Sequence, residues 1–278
     1  MGKAPWQGAA GFCEGADARV NARRVTIGVS IERLRSPDGT PQLLPLVREL
    51  ARARAKTRFQ RSNGYDRRME LHNYFRSSAS WRVRIALALK GLDYDYLPIH
   101  LVKQEQSAPG FVAASSTGLV PLLVDDGLRL HQSLAIIEYL DETHPEPPLL
   151  PADAAGRARV RALAQDIACE IHPVNNLRVL RYLTGTLGVS EEAKGAWIRH
   201  WIEGGLEAVE RQLAARPSTF CHGETPGLAD CTLVPQVFNA QRFKAGLDHV
   251  PHVMRVHAAC MAHEAFSSTQ PSACPDAE

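Results

Sequence analysis

The stretch SWRVRIALALKG, residues 80–91, lies between two short strand candidates, and this placement restricts the fold more than any other feature of the chain. MELHNYF (69–75) precedes it, and DYDYLPIHL (93–101) follows with alternation at Leu97, Ile99 and Leu101. Between them Val83, Ile85, Ala86, Leu87 and Leu89 mark a helix that Gly91 ends. Two strands of one sheet joined through a helix run parallel. Downstream, LVPLLVDDGLRLHQ (119–132) reads as two strands around Asp126-Gly127, a strong hairpin signal, so that pair is antiparallel. A short helix is expected near Phe111. SLAIIEYLDETHP (133–145) is a further helix, with Ser133 at its start and Pro145 just past its end. The sum is a small mixed sheet flanked by helices.

The Pro-rich HPEPPLLPADAAG (144–156) reads as a linker, and the sequence beyond it is almost entirely helical. RARVRALAQDIACEI is expected to run as a helix up to Pro173. Ile198, Ile202, Leu206, Val209 and Leu213 form a helical stripe. LADCTLVPQVFNAQRF contains Pro235, which predicts a kink or a break there. A last helix is expected within 251–266. The fold class is therefore α/β plus all-α, with an α/β domain over 69–150 and a helical domain over 155–278.

Residues 1–68 are of another kind. They hold 14 of the 32 basic residues and only 6 of the 30 acidic ones. LLPLVRELARARAKTRF (43–59) could form a basic amphipathic helix, as in an arm that binds RNA or a membrane surface. The reading preferred is a solvated, disordered extension, or a start placed upstream of the true one at Met69, with no nucleic-acid or membrane partner. No apolar run approaches the ~20 residues of a membrane span, and the N-terminus lacks a signal-peptide core. The six cysteines, at 13, 169, 221, 231, 260 and 274, form no CxxC pair and fit no zinc spacing, which points to a reduced, cytoplasmic protein without a metal.

Two helix starts carry the chemistry. Ser77 and Ser78 stand where the first helix begins, and a helix N-terminus presents free N–H groups and partial positive charge, a setting for an anion or a thiolate. No acid or base stands beside them in sequence, so they read as hydrogen-bond donors rather than nucleophiles. A plain N-cap is the competing interpretation. Gln132 and Ser133 open a second helix, suited to a carboxylate. Two such starts at one sheet edge could hold the thiolate and the carboxylate of one peptide-like ligand, as in glutathione.

On NYFRSSASWRVRIALALKGLDY, VPLL, HQSLAIIEYLDETHP, HPVNNLRVL and LVPQVFNAQRFK, residues 69–278 resemble the zeta class of glutathione transferases, the maleylacetoacetate and maleylpyruvate isomerases. The resemblance implies a thioredoxin-like N-terminal domain, a helical C-terminal domain and a homodimer. It implies that Ser77 hydrogen-bonds the glutathione sulfur, with Ser78 beside it, although many relatives have Ser-Ser-Cys where this chain has Ser-Ser-Ala. It further implies that Val120, before a cis Pro121, offers its backbone to the cysteinyl part. Gln132 and Ser133 would hold the γ-glutamyl carboxylate, and Gln106, His172 and Asn176 would make further glutathione contacts. A core or surface role for His172 stays open.

The implied substrates are cis dicarboxylic keto acids, from tyrosine breakdown (maleylacetoacetate) or gentisate breakdown (maleylpyruvate). Arg76, Arg178 and Arg242 are the candidates to clamp their carboxylates. Glutathione would act as a regenerated cofactor, its thiolate adding to the double bond and leaving after rotation. A general glutathione transferase or peroxidase and a non-catalytic glutathione-binding module are the alternatives. One departure concerns folding. Relatives often show Thr-x-x-Asp where this chain reads GLAD, so Gly227→Thr is expected to raise the melting temperature.

Overall fold

Helix α1 (Ser78–Lys90) has no free face. Val83, Ile85, Ala86 and Leu87 are fully buried, and so are Arg82 and Arg84 on its other sides. The reason is its place in the computed structural model, which describes residues 69–278. The helix packs against α3 (Ser133–Thr143) and also against α7 (Leu228–Arg242) and α9 (Glu264–Ser267). Gly91, in the left-handed conformation at φ 61°, ends it and donates its N–H to Ala88 and Leu87.

The sheet has the order β2-β1-β3-β4. Strand β1 (Met69–Asn73) runs parallel to β2 (Tyr94–Pro98) and antiparallel to β3 (Leu122–Asp125), which pairs with β4 (Leu128–His131). The parallel crossover and the hairpin are those the sequence predicts. Asp126 and Gly127 both have positive φ, 50° and 80°, as the two-residue turn requires. Strand β2 is shorter than its alternation suggests. It ends at Pro98, and Ile99 donates to the Asn73 carbonyl, so Leu101 lies in a loop. The short helix around Phe111 is α2 (Pro109–Ser115).

The helical part comprises α4 (Ala154–Gln165), α5 (Leu177–Gly185), α6 (Glu191–Ala215), α7, α8 (Pro251–Met261) and α9. The helix expected up to Pro173 changes winding on the way. Asp166–Ile171 is a π-helical segment, followed by a single turn at His172–Val174. Ile171 lies against Gly205 of α6, where an added Cβ would come within 2.3 Å of the Ile171 side chain. Pro235 does not break α7, which runs unbroken to Arg242. One apolar core joins Leu71 and Leu123 of the sheet, Ile85 of α1, Ile136 of α3 and Val234 of α7. The basic helix expected at 43–59 lies outside the described residues.

The α7 start corrects one expectation. Gly227 is the N-cap and its N–H donates to Asp230 Oδ2 at 2.8 Å, so the position is as read from the sequence. A side chain there is nevertheless excluded, because a Cβ on Gly227 would stand 2.6 Å from the Leu149 carbonyl oxygen. That carbonyl cannot retreat without losing its own bond from the Leu228 N–H (2.9 Å). Glycine is present because two backbones meet. Gly227→Thr therefore lowers stability, by about 1–3 kcal/mol for a forced backbone shift. Thermal denaturation of the variant measures it, and an unchanged or higher Tm would refute the close-approach argument.

Candidate active site

The β1–α1 hinge, the β3 start and the β4 end meet at one end of the sheet. His72 pairs with Leu122 and Leu122 with His131, so Ser77, Val120 and Gln132 all follow or precede strands at that end. The Val120–Pro121 peptide is cis. The hinge itself is braced from below by Arg84. Its guanidinium donates to Asn73 Oδ1 (2.9 Å), to the Phe75 carbonyl (2.9 Å) and to the Thr269 carbonyl (3.1 Å). Asp276 Oδ2 accepts the Phe75 N–H at 3.2 Å, so both polar groups of that residue's backbone are held two positions before Ser77.

A cleft of about 670 Å³ opens over the hinge. Of the residues nominated from sequence, Arg76, Ser77, Ser78, Gln106, Val120, His172, Asn176, Arg178 and Arg242 line it. Pro121, Gln132 and Ser133 do not. Pro121 is buried beneath Val120, Gln132 is exposed at the sheet end, and Ser133 is buried at the first turn of α3. Ser133 is tied to α1 through Arg82, whose Nη1 donates to its Oγ at 3.3 Å.

Each serine of interest accepts a hydrogen bond from a group that cannot accept one in return. Ser77 is the N-cap of α1, and its Oγ accepts the Ser80 N–H at 3.2 Å. Ser78 Oγ accepts from Asn239 Nδ2 of α7 at 2.9 Å. A hydroxyl has one proton, and an N–H donor gives it no place to go. The protons of Ser77 and Ser78 are thus available to an acceptor in the cleft. The cap interpretation and the donor interpretation of Ser77 are compatible, since they use different parts of the same hydroxyl. Neither serine has a histidine or carboxylate partner among the described residues, so nothing there makes it a nucleophile.

The charge of the cleft is one-sided. Arg76, Arg178, Arg181, Arg242 and Lys194 line it, and no Asp or Glu does. Lys194 is paired with Glu191 at 2.5 Å, so the arginines carry the field. Arg76 lies over the Phe75 ring at 5.0 Å and donates to Tyr74 Oη at 2.9 Å. Arg242 lies over the Phe243 ring at 4.9 Å. Burial, and then the like charge of Arg76, hold the Arg242 pKa below its usual value. Arg178 is exposed at the start of α5, whose N-cap is Asn176. The Asn176 Oδ1 accepts the Arg178 N–H at 3.1 Å, leaving its amide N–H groups for other partners.

His172 follows the π-helical segment. Burial, and then the charge of Arg82, push its pKa down to about 3, so its imidazole is neutral at pH 7. Sequence reasoning missed Arg181, Asn239 and Tyr74 as cleft residues. Arg181, three positions after Arg178, reaches across to the Leu101 carbonyl at 3.1 Å. The i, i+3 spacing of Arg178 and Arg181, and of Asn239 and Arg242, was the available signal.

Comparison with known proteins gives a consistent result. Family models for the glutathione S-transferase N-terminal and C-terminal domains match residues 71–148 and 196–263. A maleylpyruvate isomerase from Ralstonia sp is 49% identical over 210 residues, covering 75% of this chain and 99% of its own length. The holo structure of a maleyl pyruvate isomerase, described as a bacterial zeta-class glutathione S-transferase, superposes with a TM-score of 0.74 at 48% identity. It covers 75% of this chain and 100% of its own. A maleylacetoacetate isomerase from Anaeromyxobacter dehalogenans 2CP-1, with glutathione bound in its active site, gives a TM-score of 0.70 at 43% identity. There the cover is 76% of this chain and 98% of that one.

The neutral His172 has a consequence for stability. An unfolded histidine titrates near 6.5 and this one near 3. Between those values the unfolded chain binds a proton that the fold refuses. The contribution is therefore complete above about pH 6.5 and is lost as the pH falls toward 3. Urea midpoints followed from neutral pH downward should decline in the native protein, and less steeply in His172→Gln. Identical slopes would show that His172 is protonated in the fold.

Proposed function

This chain belongs to the glutathione S-transferase family, in the zeta class with the maleylacetoacetate and maleylpyruvate isomerases, and from that premise we propose that it is a glutathione-dependent cis–trans isomerase of a short dianionic keto acid. The observation that carries the reading is the cleft, which has four arginines and no carboxylate beside a helix start with two hydroxyl donors. Guanidinium forks suit planar carboxylates, and more than one is needed for a dianion. Electrophiles for general conjugation are mostly apolar and need no such clamp.

The residues present fit glutathione. Ser77 and Ser78 offer protons at the N-terminus of α1, where a sulfur anion gains from the free N–H groups and the helix dipole. Val120, beside its cis peptide, presents backbone at the sheet end for an extended peptide. Gln132 and Ser133, at the uncapped start of α3, suit the γ-glutamyl carboxylate. Gln106, His172 and Asn176 provide polar groups along the facing wall. When bound, glutathione supplies a thiolate that adds reversibly to the conjugated double bond and so permits rotation. The protein's part is to lower that thiol's pKa through Ser77, to hold the carboxylates through Arg76, Arg178 and Arg242, and to keep the reacting bond above the α1 start. No protein base is needed, because proton and nucleophile both come from the thiol. The same reading makes the enzyme a cytoplasmic homodimer, which should sediment at twice the mass of the chain.

The test is turnover of maleylacetoacetate and of maleylpyruvate, with and without glutathione. Activity is expected only with glutathione and should be catalytic in it. Ser77→Ala should raise the pH at which bound thiol ionises and cut kcat at neutral pH by about 10²-fold or more, the range seen when one preorganised donor is lost. Glutathione binding without turnover of either acid would instead support a non-catalytic module. Arg242→Ala should raise KM for the keto acid while leaving glutathione affinity within about twofold. Conjugation of a neutral aromatic electrophile at a higher rate than either isomerisation would favour the general transferase.

A further inference from the structure

Two arginines are buried in α1, and they are used differently. Arg84 spends its donors on carbonyl and amide oxygens of the hinge and the C-terminal segment, and its role is structural. Arg82 is 2% exposed and has no carboxylate within ion-pair distance among the described residues. Its one hydrogen bond goes from Nη1 to Ser133 Oγ at 3.3 Å, while Nε and Nη2 make none. A guanidinium buried without a counter-ion is expensive, and burial pushes its pKa down to about 10.

The place where that charge is directed has a second peculiarity. Helix α3 is eleven residues long, and its N-terminus has no side-chain cap. The N-cap residue, Gln132, is held at φ 72°, a conformation unusual for a residue with a side chain. Ser133 accepts from a group that has no acceptor, so its hydroxyl proton must point elsewhere. The helix start thus has free N–H groups, a hydroxyl donor and a buried positive charge behind it. All three favour one small anion at the same spot.

We infer that Arg82 is a positioning residue for the ligand's α-carboxylate, which serves as the missing counter-charge at the α3 start, with Ser133 as the relay between them. The inference rests on the proposed binding of glutathione with its γ-glutamyl carboxylate at Gln132 and Ser133. It adds that carboxylate recognition is set from inside the core by a residue that never touches the ligand. It also separates stability from affinity. Replacing an uncompensated buried charge by an apolar chain of similar length is often neutral or stabilising. Arg82→Met should therefore keep or raise the Tm of the ligand-free protein while weakening glutathione binding.

The experiment compares two ligands by calorimetry on the full chain: glutathione, and γ-aminobutyryl-cysteinyl-glycine, which lacks only the α-carboxylate. The native protein is expected to prefer glutathione. Arg82→Met should lose about tenfold or more in glutathione affinity, the worth of a hydrogen bond to a charged group, and almost nothing for the analogue. Arg82→Lys keeps charge without the fork, and should fall between native protein and Arg82→Met for glutathione only. It also serves if the Met variant does not fold. Equal losses for both ligands, or a lower Tm with unchanged preference, would overturn the inference. A native protein that binds neither ligand would instead overturn the glutathione reading beneath it.

Discussion

Helix α1 has to be buried on every side, and its sequence carries two arginines that must be buried with it. Much of the site follows from that constraint. A charged group in the core needs polar partners, and the nearest supply is the chain just before the helix. Arg84 therefore ties Asn73 and the Phe75 carbonyl, and in doing so fixes the hinge that ends at Ser77. The C-terminal segment braces the same hinge from behind. Thr269 takes bonds from Arg84 and from the Trp81 indole, and Asp276 takes the Phe75 N–H. Packing and preorganisation are here one and the same arrangement.

A related economy appears in the hydroxyls. Ser77, Ser78 and Ser133 come from two helix starts, and their partners are a backbone N–H, an asparagine amide and a guanidinium. What these partners share is that none can accept a proton. Each serine is left as a directed donor, which is what an anion requires and what a nucleophilic serine would have to give up. Chemistry by a borrowed thiolate fits this arrangement, and Ala79 beside the serines supplies no sulfur of its own.

Much of the fold was legible because its signals are local. The Asp126-Gly127 turn, the Gly91 stop, the stripe on α6 and the helix crossover each depend on a few adjacent residues. What escaped depends on contacts between distant segments. Gly227 looked like a missing cap until the Leu149 carbonyl, 78 positions earlier, was seen to occupy the space. The π-helical winding at Asp166–Ile171 has no local signature, and Gly205 across from Ile171 shows only in three dimensions what makes room for it. In the site, the resemblance named the serines, but Asn239 and Arg82, which orient two of them, are chosen by how α7, α1 and α3 meet.

The crowding of like charges in the cleft also has a physical logic. Arg76 and Arg242 are close enough for one to depress the pKa of the other, and no acid lies between them. Each is laid on an aromatic ring, Phe75 or Phe243, which gives the cation a favourable neighbour without neutralising it. An acidic side chain would quiet the repulsion, but it would also compete with the substrate for the same forks. Rings hold the guanidinium planes in place and leave their charge unspent. The repulsion is then relieved only when a dianion enters, so the electrostatic strain of the empty cleft becomes selectivity for doubly charged substrates.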